Sequence, residues 1–185
     1  MRNALSFVLI LTLAGCTSYP IEKGNQINGL PCAGNADLPE TFAGKFEAVE
    51  DPDLLNQALG SPNQGKLCHG QVYQSKENAR ITLFRAWNST NPNSKFGKWW
   101  AFQEPAGKVS TYRSEYEICY QWSPLDMLVT CTLKPQTKVV VGTGQSAVCS
   151  EYLTYPVSET KQIYIADPTQ SVSDCKVSSG EFNWK

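Results

Sequence analysis

The chain has 185 residues, with 16 Lys and Arg against 17 Asp and Glu, a net charge of −1. A balance this close to neutral supplies no broad basic surface and argues against nucleic acid as a partner. The length suits a single domain with its own core rather than a mini-protein that depends on crosslinks.

The N-terminus reads as a targeting segment over residues 1–15. Arg2 gives a positive start, and Ala4 to Leu13 is an apolar run too short to span a bilayer as a helix. It ends in Leu13-Ala14-Gly15-Cys16, which resembles the lipobox of bacterial lipoproteins. The resemblance implies cleavage before Cys16, acylation of Cys16 and display in the cell envelope. Thr17 in place of an aspartate points to the outer membrane. Residues 16–31 are polar, with Pro20 and Pro31, and read as a lipidated tether to a domain over 32–185.

Six further cysteines, Cys32, Cys68, Cys119, Cys131, Cys149 and Cys175, make an even set for an oxidising compartment and read as three disulfides. Proximity along the chain suggests Cys32–Cys68, Cys119–Cys131 and Cys149–Cys175. A zinc site is not expected, because no C-x-x-C pair occurs and His69 is the only histidine. His69 itself reads as a turn residue beside a staple rather than a catalytic base.

Helical signals come first. Glu40 to Val49 suggests a short helix. Asp51 can cap a second, with Pro52 at its first position, an apolar stripe at Leu54, Leu55, Ala58 and Leu59, and Gly60 and Pro62 as stops. From Gln71 the pattern turns to strands. Ala79 to Trp87 alternates, placing Ile81, Leu83, Arg85 and Trp87 on one face. Trp99–Phe102 and Tyr116–Tyr120 are further strands, and Ser123-Pro124-Leu125-Asp126 reads as the cap of a helical turn. Leu128–Leu133 and Lys138–Val141 read as a hairpin about Pro135-Gln136-Thr137, and Gln162–Ile165 as a late strand. The expected class is α+β: a helical segment, then a mostly antiparallel sheet stapled by about three disulfides.

Several residues invite a functional reading. Gly142-x-Gly144-x-x-Ala147, with Asp167 twenty residues on, matches a dinucleotide-binding pattern. The residues after it form helices poorly, so a glycine turn fastened at Cys149 is expected instead, with Gln145 and Ser146 as loop side chains able to touch a ligand. Glu115 and Glu117 would share one strand face, where paired carboxylates could act on a sugar or form ion pairs with Arg113. Trp99 and Trp100 point to opposite faces of a strand, so one of them could offer a binding platform. Arg85, among apolar side chains, needs either a carboxylate from Glu115 or Glu117 or an anionic ligand.

Thr82-Leu83-Phe84-Arg85-Ala86-Trp87, then Gly97-Lys98-Trp99-Trp100-Ala101-Phe102, and later Lys161-Gln162-Ile163-Tyr164-Ile165 are similar in order to mono-ADP-ribosyltransferase-like toxin domains. The resemblance implies that Arg85 grips a phosphate of NAD. It also implies that Trp99, Trp100 or Ser110 lines the pocket, and that Gln162 stands near the catalytic position. The primary expectation is a non-catalytic envelope lipoprotein, held to the membrane by the lipid on Cys16. It would bind an envelope protein or a small ligand and need no cofactor. NAD enters only with the transferase reading, for which Glu115, Glu117 and Gln162 are the catalytic candidates.

Overall fold

A computed structural model describes residues 32–179. The leader, Cys16 and the tether up to residue 31 lie outside the described residues. The class is α+β, with most of the regular structure in strands. Eight strands form one antiparallel sheet. They are β1 (Phe46–Ala48), β2 (Leu67–Ser75), β3 (Ile81–Trp87), β4 (Trp99–Ala101), β5 (Met127–Leu133), β6 (Lys138–Gly144), β9 (Lys161–Tyr164) and β10 (Val172–Ser179), in the spatial order β1-β2-β6-β9-β4-β3-β5-β10. Between β6 and β9 the chain makes a separate two-stranded unit from β7 (Ala147–Ser150) and β8 (Leu153–Tyr155).

The sheet has two apolar faces. Ile81, Leu83, Val129, Leu133, Val141 and Ile163 belong to the larger core cluster, and every one of them is buried. Val72, Val140 and Tyr164 pack on the other face against Leu54 and Ala58 of a helix. That helix is α2 (Pro52–Ala58), and the chemistry of its start is the one the sequence suggests. The Asp51 carboxylate accepts from the Leu54 amide at 3.1 Å, and Pro52 occupies the first turn.

The first helix is shorter than expected. α1 (Glu40–Ala43) stops at Gly44, and Phe46 turns inward as the first residue of β1, whose edge pairing with β2 continues the sheet. Burial of the Phe46 ring against Tyr73 and Phe102 outweighs the weak helical preference of Glu40–Val49.

The expected hairpin of β5 with β6 does not form. β5 lies between β3 and β10, and β6 lies between β2 and β9. The Pro135-Gln136 turn instead carries the chain across to β2. There the Gln136 amide donates to the Ser75 carbonyl, and the Thr137 amide donates to Ser75 Oγ at 3.0 Å.

Of the three expected disulfides, Cys32–Cys68 is present, and the other four cysteines pair differently, as Cys119–Cys149 and Cys131–Cys175. Cys131 is on β5, and its neighbour across the ladder is β10, which carries Cys175. Strand adjacency, not nearness in sequence, decides the partner.

Tyr116–Tyr120 is not a strand. Helix α3 (Val109–Glu115) ends there, and Glu117 takes a left-handed backbone at φ 47°. Arg113 fixes the irregular segment that follows, donating to the carbonyls of Ile118 at 3.2 Å and Ser123 at 2.6 Å. Ser123–Asp126 is likewise no helix start. Ser123 Oγ accepts from the Leu125 amide in a local turn, and Leu125 sits at φ 58°.

Candidate functional site

A cleft of about 240 Å³ opens beside the irregular segment between α3 and β5. It lies below the usual range of roughly 300–1,000 Å³ for drug-sized ligands, so it suits a small molecule. The sequence-flagged residues Arg85, Trp99, Trp100, Glu117 and Gln162 all line it, although they come from four separate stretches of chain.

Arg85 is placed by the divergence of two strands. β3 and β4 share a single register pair, Phe84 with Ala101, and beyond it the guanidinium fills the gap. Nε donates to the Ser94 carbonyl at 2.8 Å and Nη1 to the Trp99 carbonyl at 2.6 Å. Nη2 lies against Gly97, where any side chain would collide with it. Burial lowers the guanidinium pKa to about 10, which leaves it charged at neutral pH. Neither Glu115 nor Glu117 pairs with it: the one ion pair among the described residues joins Lys138 to Asp51.

Glu117 is the acid of the cleft and is only 2% exposed. Its carboxyl sits directly on the backbone of β6, because Gly144 has no side chain. A Cβ there would overlap the carboxyl group. Gln162 on β9 donates through Nε2 to Glu117 Oε2 at 2.6 Å. The nearby Ser158 hydroxyl donates to the Glu115 carbonyl at 2.6 Å, and Glu117 Oε1 is buried without a hydrogen-bond partner among the described residues. Burial raises the Glu117 pKa to about 8, against the opposing effects of the nearby Ser158 hydroxyl and of the Gln162 hydrogen bond. At neutral pH the group is therefore mostly an uncharged acid.

Tyr112 and Tyr116 stand between these polar groups, with ring centroids 4.4 Å apart. Burial raises both phenol pKa values, so both remain neutral. Tyr116, Arg85 and Glu115 act electrostatically on Tyr112, and Glu115 and Glu117 act on Tyr116. At the mouth, Trp122 is 51% exposed and lies over Gly65. No local pattern in the sequence marks Trp122 as a site residue. Its place at the mouth depends on the Cys119–Cys149 disulfide and on Gln121, which donates to the Cys149 carbonyl at 2.8 Å.

The two tryptophans play unequal parts. Trp100 is buried, and its indole N–H donates to the Gly97 carbonyl at 2.8 Å. Trp99 is half-buried against Tyr164, with centroids 5.0 Å apart.

Other flagged residues lie elsewhere. Glu115 is exposed at the end of α3, so it does not share a strand face with Glu117. Ser110 is exposed on α3 and does not line the cleft. Gln145 and Ser146 are buried and serve the interior: Gln145 Nε2 donates to Cys68 Sγ at 3.4 Å, and Ser146 Oγ accepts from the Asn63 amide at 2.9 Å.

Gly142 and Gly144 are strand residues of β6, and β7 rather than a helix follows them. No helix N-terminus therefore faces a pyrophosphate. Asp167 caps the short helix α4 (Pro168–Ser171), accepting from the Gln170 amide at 3.3 Å. His69 lies on β2, where Nδ1 is 3.2 Å from Thr143 Oγ1. Cys32, Cys68 and His69 bring three potential ligand atoms within 4.8 Å, but the two sulfurs are joined in a disulfide and are not thiolate ligands.

Comparison with protein-family models, with curated proteins and with solved structures finds no match. Fold and site thus define a class by description: a disulfide-stapled antiparallel-sheet domain with a small cleft that holds a partly buried cation, a neutral acid–amide pair and an aromatic wall.

Proposed function

We propose that this chain is a lipid-anchored binding protein of the cell envelope, holding a small ligand in the cleft beside Arg85. One observation carries the reading. Arg85 is a partly buried cation lining a cavity, its hydrogen bonds run to backbone carbonyls, and no carboxylate among the described residues pairs with it. A charge drawn partly out of water without a counter-charge is costly, and an incoming ligand can lower that cost. Binding is favoured over sugar hydrolysis because Glu117 has no second carboxylate beside it in the cleft. The leader motif at Leu13–Cys16 supports the envelope address.

An NAD-type site is the second reading. It is favoured by the meeting of Arg85, Trp99, Trp100, Glu117 and Gln162 in one cleft. Its weakness is size, because a dinucleotide is much larger than about 240 Å³.

A thermal-shift titration of the mature protein with NAD, cell-wall fragments and a panel of small organic acids separates the two. A small acid should raise the melting temperature, and Arg85→Ala should abolish the rise. A rise with NAD alone would favour the transferase-like reading, and no rise with any of them would contradict ligand binding at this cleft.

A further inference from the structure

We propose that the ligand of this cleft is a small, flat organic carboxylate, its anionic group held by Arg85 and its apolar body stacked along Tyr112, Tyr116 and Trp122. The inference rests on the binding function proposed above and names the chemical class.

The charge requirement comes from the lining. Arg85 and Lys66 are the cationic side chains of the cleft, and Glu117 is its only acid. The field inside is therefore positive, and it strengthens as solvent is excluded. The number of charges follows from the donors left over. Nε and one N–H of Nη1 are committed to Ser94 and Trp99. The other N–H of Nη1 and both of Nη2 have no hydrogen bond among the described residues, so three of the five guanidinium donors are left for a ligand. That suits one carboxylate better than a phosphate, which has more charge and more acceptor oxygens to satisfy.

The body of the ligand is set by the walls. Ala86, Ile118 and Leu125 close the cleft with apolar surface, and Tyr112 and Tyr116, packed ring against ring, add an aromatic wall. Aromatic walls reward a planar body. Volume limits that body to about one or two fused rings.

Glu117 sets a condition on this binding. The groups around its carboxyl are Gln162 from β9, Gly144 from β6, Ser158 from the segment before β9, and Tyr116 from its own segment. None of these carries charge at neutral pH. Arg85 and Lys66 share the cleft, and Glu115 lies outside it. While Glu117 is protonated it does not repel an anion. Once ionised, it does.

Isothermal titration calorimetry of the mature protein with three near-isosteric probes tests the proposal: 2-naphthoate, 2-naphthalenemethanol and 2-naphthylmethylammonium. The carboxylate should bind at least tenfold more tightly than either of the others. Trp122→Ala, an exposed change that should leave the fold intact, should weaken it severalfold. Between pH 7 and pH 9, below the Arg85 pKa of about 10, the affinity for 2-naphthoate should fall, and in Glu117→Gln it should stay level. If the alcohol or the ammonium binds as tightly as the carboxylate and Trp122→Ala weakens it, the cleft binds ligands but the anion assignment is wrong. If 2-naphthoate binds and neither substitution changes it, the site lies elsewhere and the proposal fails. If none of the three binds, the proposal is overturned, and the thermal-shift panel then decides whether the binding function survives.

Discussion

Replacing Glu117 by Gln should make the protein more stable in alkaline solution, and the size of the gain follows from the site. The carboxyl has an ordinary pKa of 4.5 in the unfolded chain and about 8 when buried beneath Gln162 and against Gly144. Between these values the folded state holds a proton that the unfolded state has released. Folding stability contributed by this group is therefore complete below pH 4.5 and is lost as pH rises through 8. The slope is about 1.4 kcal/mol per pH unit, and the whole interval amounts to roughly 5 kcal/mol. Glutamine keeps an oxygen to accept from Gln162 and does not titrate. Urea unfolding at pH 5, 6, 7, 8 and 9, with the disulfides intact, gives the difference between variant and wild type at each pH. That difference should be small at pH 5 and grow in favour of the variant up to pH 8, because other titrating groups cancel. Parallel stability curves would show that Glu117 is ionised in the folded protein and would refute the neutral acid.

Further substitutions probe the same framework. Cys119→Ala with Cys149→Ala opens a loop of 30 residues, for which chain entropy gives a loss of roughly 3.5 kcal/mol in chemical denaturation. Because Glu117, Ile118 and Trp122 flank Cys119, the double variant should also lose ligand-induced thermal shifts, whereas Cys131→Ala with Cys175→Ala should keep them. Gly144→Ala puts a methyl group into the Glu117 carboxyl and should cost about 1–3 kcal/mol. Gly44→Ala meets nothing within 4 Å and should be near neutral in the same chemical denaturation. Cys16→Ser should move the expressed protein from the membrane fraction to the soluble fraction on cell fractionation, and unchanged sedimentation with membranes would contradict acylation.

Local signals proved readable. The alternation of Ile81 to Trp87, the Asp51-Pro52 helix start and the late strand at Gln162 are all present in the structure. Each depends on residues a few positions apart, where periodicity and capping act. The failures are of longer range. β5 and β6 look like a hairpin because only four residues separate the predicted strands, but pairing follows burial, and each has a better partner across the sheet. The disulfides err for the same reason. At Tyr116–Tyr120 the composition favours a strand. The backbone instead turns left-handed at Glu117, held by Arg113 and by a carboxyl contact that only Gly144 permits.

The site was legible as separate residues and not as a place. Arg85 is conspicuous because a charge interrupts an apolar strand face. Glu117 is visible only as half of a pair with Glu115, a pairing that the end of α3 breaks. Nothing in the sequence joins Glu117 to Gln162, 45 residues away. Tyr112 and Trp122 reach the cleft through a helix and a disulfide that only the folded chain brings together.

The most direct test of the account is a crystal structure of the mature protein grown with 2-naphthoate at neutral pH. The account predicts density for the ring system along Tyr112 and Tyr116, with the carboxylate within hydrogen-bond distance of the Arg85 guanidinium. An empty cleft at saturating ligand, or a carboxylate turned away from Arg85 toward solvent, would contradict it.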